Sequence, residues 1–186
     1  EGRPRPEGQP REDVAGLLEI LMATRRSLVA TGQEVIANGR LLDLIRRVHC
    51  FGLHMVPLDI RQESSRHVDA LDCITRHLDL GSYAEWDEAR RVDFLIGELD
   101  SKRPLIPANL PASPEVREVL DTFRMLAEVP ADSLGAYVIS MTRGPSDVLA
   151  VELLQRESGV RKPLRVVPLF ETINDLRNAD RIMATL

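Results

Sequence analysis

The sequence predicts a helix-rich α/β fold, namely part of a (β/α)8 barrel of the TIM type with about three parallel strands. Three short stretches with strand-forming character lead to this prediction: residues 55–62, 136–141 and 164–171. Each is followed by a polar turn and then by a helical pattern. Buried parallel strands appear in a sequence as apolar runs, and in barrels they place polar side chains at the rim, at their carboxyl ends.

Composition limits the classes of protein to consider. The chain has 186 residues, 44% of them apolar and 28% charged, with a net charge of −5, which is ordinary for a globular protein. No apolar run approaches the roughly 18 residues of a membrane span, and no basic block suggests binding to nucleic acid. We therefore predict that the protein interacts with neither a membrane nor a nucleic acid. Two cysteines are too few for a disulfide framework, which favours reduced thiols and a cytoplasmic location.

The two ends of the sequence suggest a piece of a longer protein. The first residue is Glu, and a helical pattern runs to the last residue without a stop signal, whereas a complete barrel needs roughly 250 residues. We therefore expect three parts: a flexible linker at 1–12, rich in Pro, Gly and charge; a helical segment at 13–50 leading into the barrel; and a partial catalytic barrel at 51–186, comprising the first three strand–helix units.

Helical spacing predicts two helices in the segment before the barrel. The first is capped by Asp13 and runs to about residue 31, and the second covers 34–48 with Gly39 as a possible break. The second helix has an apolar face that we expect to be buried, made of Leu41, Leu42, Leu44, Ile45 and Val48.

The first predicted strand alternates in character from Leu58 to Glu63. Two interpretations of this pattern stay open. In a barrel, the charged face would lie inside or at the rim, where its charges must pair; in an antiparallel edge strand, it would be a solvated face. The aliphatic face holds Leu58, Ile60 and Gln62, and the charged face holds Asp59, Arg61 and Glu63.

More than 70 residues separate the first strand from the second, which is far more than one strand–helix unit needs. This crossover should therefore carry additional helices. One begins at Ser64 or Ser65, one opens with the capping-box pattern of 82–85, and one has Pro at its first position after Ser113. A helix capped by Ser146 or Asp147 follows the second strand, and a last helix begins near residue 174.

Glu171, at the end of the third strand, is the best candidate for a site residue. A carboxylate at the carboxyl end of a barrel strand is a hard oxygen ligand placed for a divalent metal. The alternative is that it matches the positive end of the helix that follows. One carboxylate cannot hold Mg²⁺ by itself, so water, substrate oxygens or another residue must complete the shell.

Positive groups supply candidates for anion binding. Arg61 presents a planar fork that fits phosphate or carboxylate, unless it pairs with a neighbouring acid of its own strand. Lys102 and Arg103 could add positive potential, although a solvated turn explains them as well. Residues 144–146, just before a helix, could hold an anion at the helix N-terminus. His67 is interpreted as a satisfied polar group, since no paired nucleophile is apparent.

Several stretches together resemble phosphoenolpyruvate carboxylase. They occur in the order of that family with fitting gaps, between about residue 41 and residue 186, and such a series is more specific than any one motif. The stretches are 51–67, which contains Asp-Ile-Arg-Gln-Glu-Ser-Ser, then Ser-Lys-Arg-Pro-Leu at 101–105, Ala-Tyr-Val-Ile-Ser-Met at 136–141, 145–151, and Pro-Leu-Phe-Glu-Thr at 168–172.

The resemblance implies a large helix-rich enzyme on an eight-stranded barrel, usually a homotetramer. It implies conversion of phosphoenolpyruvate and bicarbonate to oxaloacetate and phosphate with Mg²⁺ or Mn²⁺. The Glu of the Phe-Glu-Thr stretch is a metal ligand in that family and maps onto Glu171. The Arg of the Arg-Gln-Glu-Ser stretch lies at the active site there and maps onto Arg61.

The family's mechanism implies that bicarbonate attacks the phosphoryl group, giving carboxyphosphate and the enolate of pyruvate, which then captures CO₂. The metal would stabilise the enolate oxygen, and arginines would offset phosphate charge. The resemblance also implies that the second metal ligand and the catalytic histidines lie outside this chain. We therefore expect the isolated chain to be inactive and, with unpaired strand edges, poorly stable.

Two other functions stay open on the sequence. The amphipathic helices could form a non-catalytic module for assembly or regulation, in which case changing Glu171 would remove no activity. The chain could also belong to another Mg²⁺-dependent barrel enzyme that forms an enolate, which dependence on bicarbonate would distinguish.

Overall fold

The computed structural model describes residues 14–186, so the predicted linker at 1–12 and the predicted cap at Asp13 lie outside the described residues. The chain divides into two compact units, Glu1–Pro57 and Leu58–Leu186. In the described part, no helix has the combination of length and apolar character that crossing a membrane requires.

The described part of the first unit contains helices joined and followed by turns. It contains α1 (Val14–Ala30), α2 (Glu34–Ala37) and α3 (Arg40–Phe51). The end of α1 is as predicted: Gly32 has φ of 76°, a left-handed conformation that suits glycine after a helix. The predicted break at Gly39 is also confirmed, since it separates α2 from α3.

The buried face of α3 is narrower than the sequence indicates. Ile45 and Val48 are buried, whereas Leu41 and Leu42 are half-buried. Leu44, which the spacing placed on the buried face, is 46% exposed. It is adjacent to Ile45 in sequence and therefore lies about 100° away around the helix.

The second unit is built on a three-stranded parallel sheet, as predicted. Its strands are β1 (Leu58–Glu63), β2 (Leu134–Ser140) and β3 (Val166–Pro168), in the order β1-β2-β3. Both pairs are parallel, so the interpretation of β1 as an antiparallel edge strand is wrong. The described residues thus form a helix-rich α/β unit with an open sheet.

The third strand is shorter than predicted. It ends at Pro168, although the Leu169 N–H still donates to the Ile139 carbonyl over 2.8 Å. Glu171 consequently lies in the loop after the strand and not on the strand itself. Because a carboxylate in a loop has no strand pairing to hold it, other contacts must fix its position.

The two faces of the sheet differ in character. On one face, Tyr137 and Ile139 are fully buried and belong to the core cluster that the helices also form. On the other face, Arg61, Val138 and Val167 share a register row. The predicted alternation of β1 is confirmed for Ile60 and Gln62, which are half-buried while the charged residues are exposed. It is wrong for Leu58, which is 69% exposed at the start of the strand.

Additional helices fill the crossover from β1 to β2, as predicted. They are α4 (Ser64–His77), α5 (Glu88–Asp100) and α6 (Pro114–Glu128), with short 3-10 turns at Tyr83–Glu85 and Ala131–Ser133. After β2 comes α7 (Pro145–Glu157), and after β3 comes α8 (Ile173–Thr185). The core between the sheet and these helices is aliphatic with a few aromatic rings, including Leu71, Ile74, Leu95, Phe123, Val151 and Leu154.

Three helix starts differ from the sequence prediction. The capping-box pattern at 82–85 forms only a 3-10 turn, and α5 is capped by Asp87, which accepts from the Arg90 N–H. Neither Ser64 nor Ser65 caps α4, because Glu63 is the N-cap and makes no side-chain cap bond. Gly144 is the N-cap of α7, with Asp147 bonding back to it from the first turn. The prediction of Ser113 as the cap of α6 is confirmed.

Candidate functional site

The carboxyl ends of the three strands are connected by hydrogen bonds through one residue, Met141. The Ser64 hydroxyl, just after β1, donates to the Met141 carbonyl over 2.9 Å. The Met141 N–H, just after β2, donates to Oε2 of Glu171 over 2.7 Å, and Glu171 follows β3. The edge where barrel enzymes place their active sites therefore carries one fixed carboxylate in this unit.

Glu171 has the chemistry of a ligand for a hard cation. The residue is exposed, and among the described residues only its Oε2 is engaged, by the Met141 N–H. Its Oε1 is thus left for another partner, and a carboxylate oxygen is the donor that Mg²⁺ and Mn²⁺ prefer. Glu171 therefore has the chemistry to supply one ligand to such an ion.

Further ligands for that ion must come from elsewhere. Within residues 14–186, no group of three His, Cys, Asp or Glu side chains is arranged to hold a metal. An ion at Glu171 would therefore need water, substrate oxygens or another residue to complete its shell.

Arg61 lies on β1, on the sheet face opposite the helices. It pairs in register with Val138 of β2, two residues before the end of β1. The alternative role as an ion-pair partner of Asp59 is not seen, since Asp59 instead accepts the Ala136 N–H over 2.8 Å. Within the described residues, no hydrogen bond or ion pair engages the Arg61 guanidinium.

Arg61 and Glu171 are brought to the same region of the unit. Arg61 lies on β1, two residues before its end, and Glu171 lies in the loop three residues after the end of β3, with β2 between the two strands. Both residues therefore lie towards the carboxyl edge of the sheet.

Lys102 and Arg103 lie elsewhere. Their loop is tied to the last turn of α7, because Glu157 accepts the Leu105 N–H over 2.5 Å and Arg156 donates to the Ser101 carbonyl. The loop holding Glu171 adjoins the opposite end of α7, about 20 Å away by the rise of a 13-residue helix. The structure therefore does not bring Lys102 and Arg103 together with Glu171.

Arg103 also has a partner of its own. Its guanidinium contacts Oε1 of Glu98 at 2.6 Å, while Glu98 is buried and its Oε2 has no hydrogen bond to any described residue. This pair neutralises a buried carboxylate at the end of α5. The arrangement supports the solvated-turn alternative over anion binding for this cation.

The N-terminus of α7, which the sequence suggested as an anion site, is filled by the protein. Glu88 accepts from the Ser146 N–H and from the Ser146 hydroxyl, each over 2.8 Å. Asp147 accepts the Arg143 N–H over 2.8 Å, and burial raises the pKa of its carboxyl. Two carboxylates thus occupy the positive end of the helix. The local pattern of residues 144–146 could not predict this, because Glu88 is distant in sequence.

His67 is buried and does not reach the carboxyl edge. Its Nε2 hydrogen-bonds with the Tyr137 hydroxyl over 2.9 Å, and its Nδ1 has no partner within residues 14–186. Burial, followed by the positive charge of Arg66, lowers its pKa to about 4. It is therefore a neutral core residue, only partly satisfied, and not a proton carrier for chemistry at Glu171.

The Ser64–Met141 contact is the part of this region that sequence reasoning missed. Ser64 was expected to cap its helix, whereas its hydroxyl reaches across the sheet edge to a residue 77 positions later. Met141 has φ of 56°, which no pattern of apolar and polar residues reveals in a non-glycine residue.

Comparison with known proteins adds the decisive observation. The sequence model for phosphoenolpyruvate carboxylase matches residues 2–186, almost the entire chain. The chain belongs to the phosphoenolpyruvate carboxylase family. The resemblance seen in the sequence motifs is thereby confirmed.

Individual members of the phosphoenolpyruvate carboxylase family are similar along nearly all of the chain. Phosphoenolpyruvate carboxylase 1 of Arabidopsis thaliana is 59% identical over 91% of this chain, and that of Chlamydomonas reinhardtii is 58% identical over 94%. Phosphoenolpyruvate carboxylase of Medicago sativa is 56% identical over 97%. The chain spans only 18% to 19% of the length of these relatives.

Proposed function

We propose that this chain is a segment of the catalytic region of an enzyme that converts phosphoenolpyruvate and bicarbonate to oxaloacetate and phosphate. The observation that carries the proposal is a fixed, exposed carboxylate at the carboxyl edge of a parallel sheet, in a chain of the phosphoenolpyruvate carboxylase family. The reaction would serve carbon fixation that replenishes oxaloacetate.

Glu171 is proposed as a ligand of Mg²⁺ or Mn²⁺ through its free Oε1. A divalent cation bound there would supply stabilisation of negative charge on substrate oxygens. The chain's own contribution is to hold the carboxylate: the Met141 N–H keeps Oε2 in place and leaves Oε1 for another partner. No geometry beyond this single ligand follows from the segment.

Arg61 is proposed to bind and orient the phosphate or carboxylate of the substrate. It is exposed, without an ion-pair partner in the described unit, and shares the sheet face of Val138. A guanidinium held on a strand is more precisely placed than one on a loop, and it offers two parallel donors to an anion. Lys102 and Arg103 remain weaker predictions, because their loop lies at the other end of α7.

The finer features of fold and assembly belong to the same proposal. The three parallel strands would be the first of an eight-stranded barrel, with 13–50 as the helical segment leading into it and 51–186 as the partial barrel. The complete protein would be a cytoplasmic homotetramer. The isolated chain would be inactive, since further metal ligands and catalytic groups would lie beyond it.

The test uses the full-length protein that contains this segment, supplied with Mg²⁺. We expect phosphate release from phosphoenolpyruvate that requires bicarbonate. Glu171→Gln keeps the size of the side chain but removes the charged ligand, so activity should fall by more than about 100-fold while the circular dichroism spectrum stays unchanged. Glu128→Gln, at an exposed position on α6, is the matched control and should retain activity.

Each other outcome points to a specific alternative. Phosphate release without bicarbonate would indicate a different enolate-forming enzyme. No release from a folded, metal-supplied protein would favour a non-catalytic module, and full activity in Glu171→Gln would reject the assignment of the metal ligand.

A further inference from the structure

The conformation of Met141 is unusual and is held from both sides. Its φ of 56° lies in the left-handed region, which is unfavourable for a non-glycine residue. The peptide that follows is fixed by two hydrogen bonds: its carbonyl accepts from the Ser64 hydroxyl over 2.9 Å, and its N–H, that of Thr142, donates to the Leu169 carbonyl over 3.3 Å. The neighbouring elements therefore determine this turn.

The position of the turn determines where the Met141 N–H points. That N–H is the only group in the described residues that holds the Glu171 carboxylate, through Oε2 at 2.7 Å. Glu171 lies beyond the end of β3 and is exposed, so neither strand pairing nor packing fixes it. The carboxylate is thus linked through the Met141 backbone to the Ser64 hydroxyl, which bonds the carbonyl of the same residue.

Ser64 is well placed for such a role. It is the first residue of α4 and is only 7% exposed, so its hydroxyl has few alternative partners. Its hydroxyl donates to the Met141 carbonyl, outside its own helix. The adjacent Ser65 is exposed and has no side-chain hydrogen bond in the described residues, which makes it an internal comparison for the same residue type.

We propose that Ser64 is a positioning residue for the Glu171 carboxylate and acts through the backbone of Met141. The inference rests on the proposed function, in which Glu171 is a ligand of a divalent cation. Residues that orient a metal ligand by hydrogen bonding typically contribute 10- to 100-fold to metal affinity. Loss of the Ser64 hydroxyl should let the turn relax and allow Oε1 to leave its binding orientation.

The experiment measures Mn²⁺ binding to the full-length protein by electron paramagnetic resonance, without substrate and without turnover. We expect Ser64→Ala to weaken Mn²⁺ binding about tenfold and to alter the spectrum of bound Mn²⁺. Ser64→Thr retains a hydroxyl and should restore affinity to within about threefold, whereas Ser65→Ala should match the wild type. Ser64→Cys, of similar size but a weak donor, replaces the alanine variant if that one fails to fold.

The controls separate this inference from the proposed function. If Glu171→Gln abolishes Mn²⁺ binding but Ser64→Ala and Ser64→Cys bind within twofold of the wild type, the role of Ser64 is wrong and the metal ligand stands. If Ser65→Ala weakens binding as much as Ser64→Ala, the effect is not specific to the Met141 contact and the inference is likewise overturned. If the wild type binds no Mn²⁺, or Glu171→Gln binds it normally, the proposed ligand itself is rejected.

Discussion

His67 shows how a single buried residue makes stability depend on pH. It is 1% exposed and lies against Phe123 and Tyr137, and burial is the first cause that lowers its pKa from 6.5 to about 4. The unfolded chain takes up a proton at this residue near pH 6.5, whereas the folded chain does so only near pH 4. The stabilisation is therefore complete above pH 6.5 and is lost as pH falls towards 4.

We expect the free energy of unfolding to drop by about 2 kcal/mol between pH 7 and pH 5 because of His67. The measurement is urea denaturation of the wild type and of His67→Phe at both pH values. The variant should lose most of this pH dependence, whatever its stability at pH 7. His77→Phe, an exposed histidine of the same helix, should keep it, and an unchanged pH dependence in His67→Phe would show that His67 is not the group that titrates.

At the scale of elements, the start of β3 depends on a side chain of α7. The Gln155 amide is fully buried; its Oε1 accepts the Leu164 N–H over 2.7 Å, and its Nε2 donates to the Leu164 carbonyl over 3.2 Å. Both backbone groups of Leu164 are thus satisfied without a neighbouring strand. An edge strand of three residues needs such support, because it has few ladder bonds of its own.

Gln155→Met keeps the volume and removes both hydrogen bonds. We expect a loss of about 2–4 kcal/mol, since two buried backbone groups are left unpaired, and faster hydrogen exchange at β3 than at β1. Gln155→Glu retains the acceptor only and should also destabilise. The matched control is Gln33→Met at an exposed position. A loss below about 0.5 kcal/mol in Gln155→Met would mean that water replaces the amide.

The sequence identified elements best where burial alone decides them. The β2 run is apolar nearly throughout and was placed within two residues of its observed limits, 134–140. The start of α5 was misplaced because Ser82 turns to Asp72, with Oγ to Oδ1 at 2.7 Å, and so does not cap the following residues. A capping residue can be predicted from sequence only when no distant side chain competes for its hydroxyl.

The same reasoning explains which parts of the site were predictable. Glu171 was proposed from its position after an apolar run and Arg61 from the anion-binding chemistry of its guanidinium, because both features are local. The support for Glu171 was not predictable, since it joins Ser64 to a left-handed Met141 across 77 residues. The separation of Lys102 from Glu171 was likewise not predictable, because it depends on the direction of α7, which no local sequence pattern indicates.

At the scale of the whole molecule, the helices that form the core of the second unit pack against one face of its sheet. Val138, on the other face, is 8% exposed but is absent from the cluster of side chains that packs against the helices. Val167 is half-buried beside it and pairs with it in register. If the proposed barrel closes in the full-length protein, this face becomes its interior, and Val167 should be completely enclosed.

The substitution Val167→Lys therefore has opposite expected effects in two contexts. In the isolated chain the lysine reaches solvent, so the free energy of unfolding should change by no more than about 0.5 kcal/mol, and self-association measured by sedimentation should decrease. In the full-length protein an unpaired lysine would be buried, at a cost of several kcal/mol. Ile96→Lys, at a 48% exposed position on α5, is the control for adding a lysine. An equally small effect of Val167→Lys in both proteins would mean that this face is not enclosed and that the strands do not continue into a closed barrel.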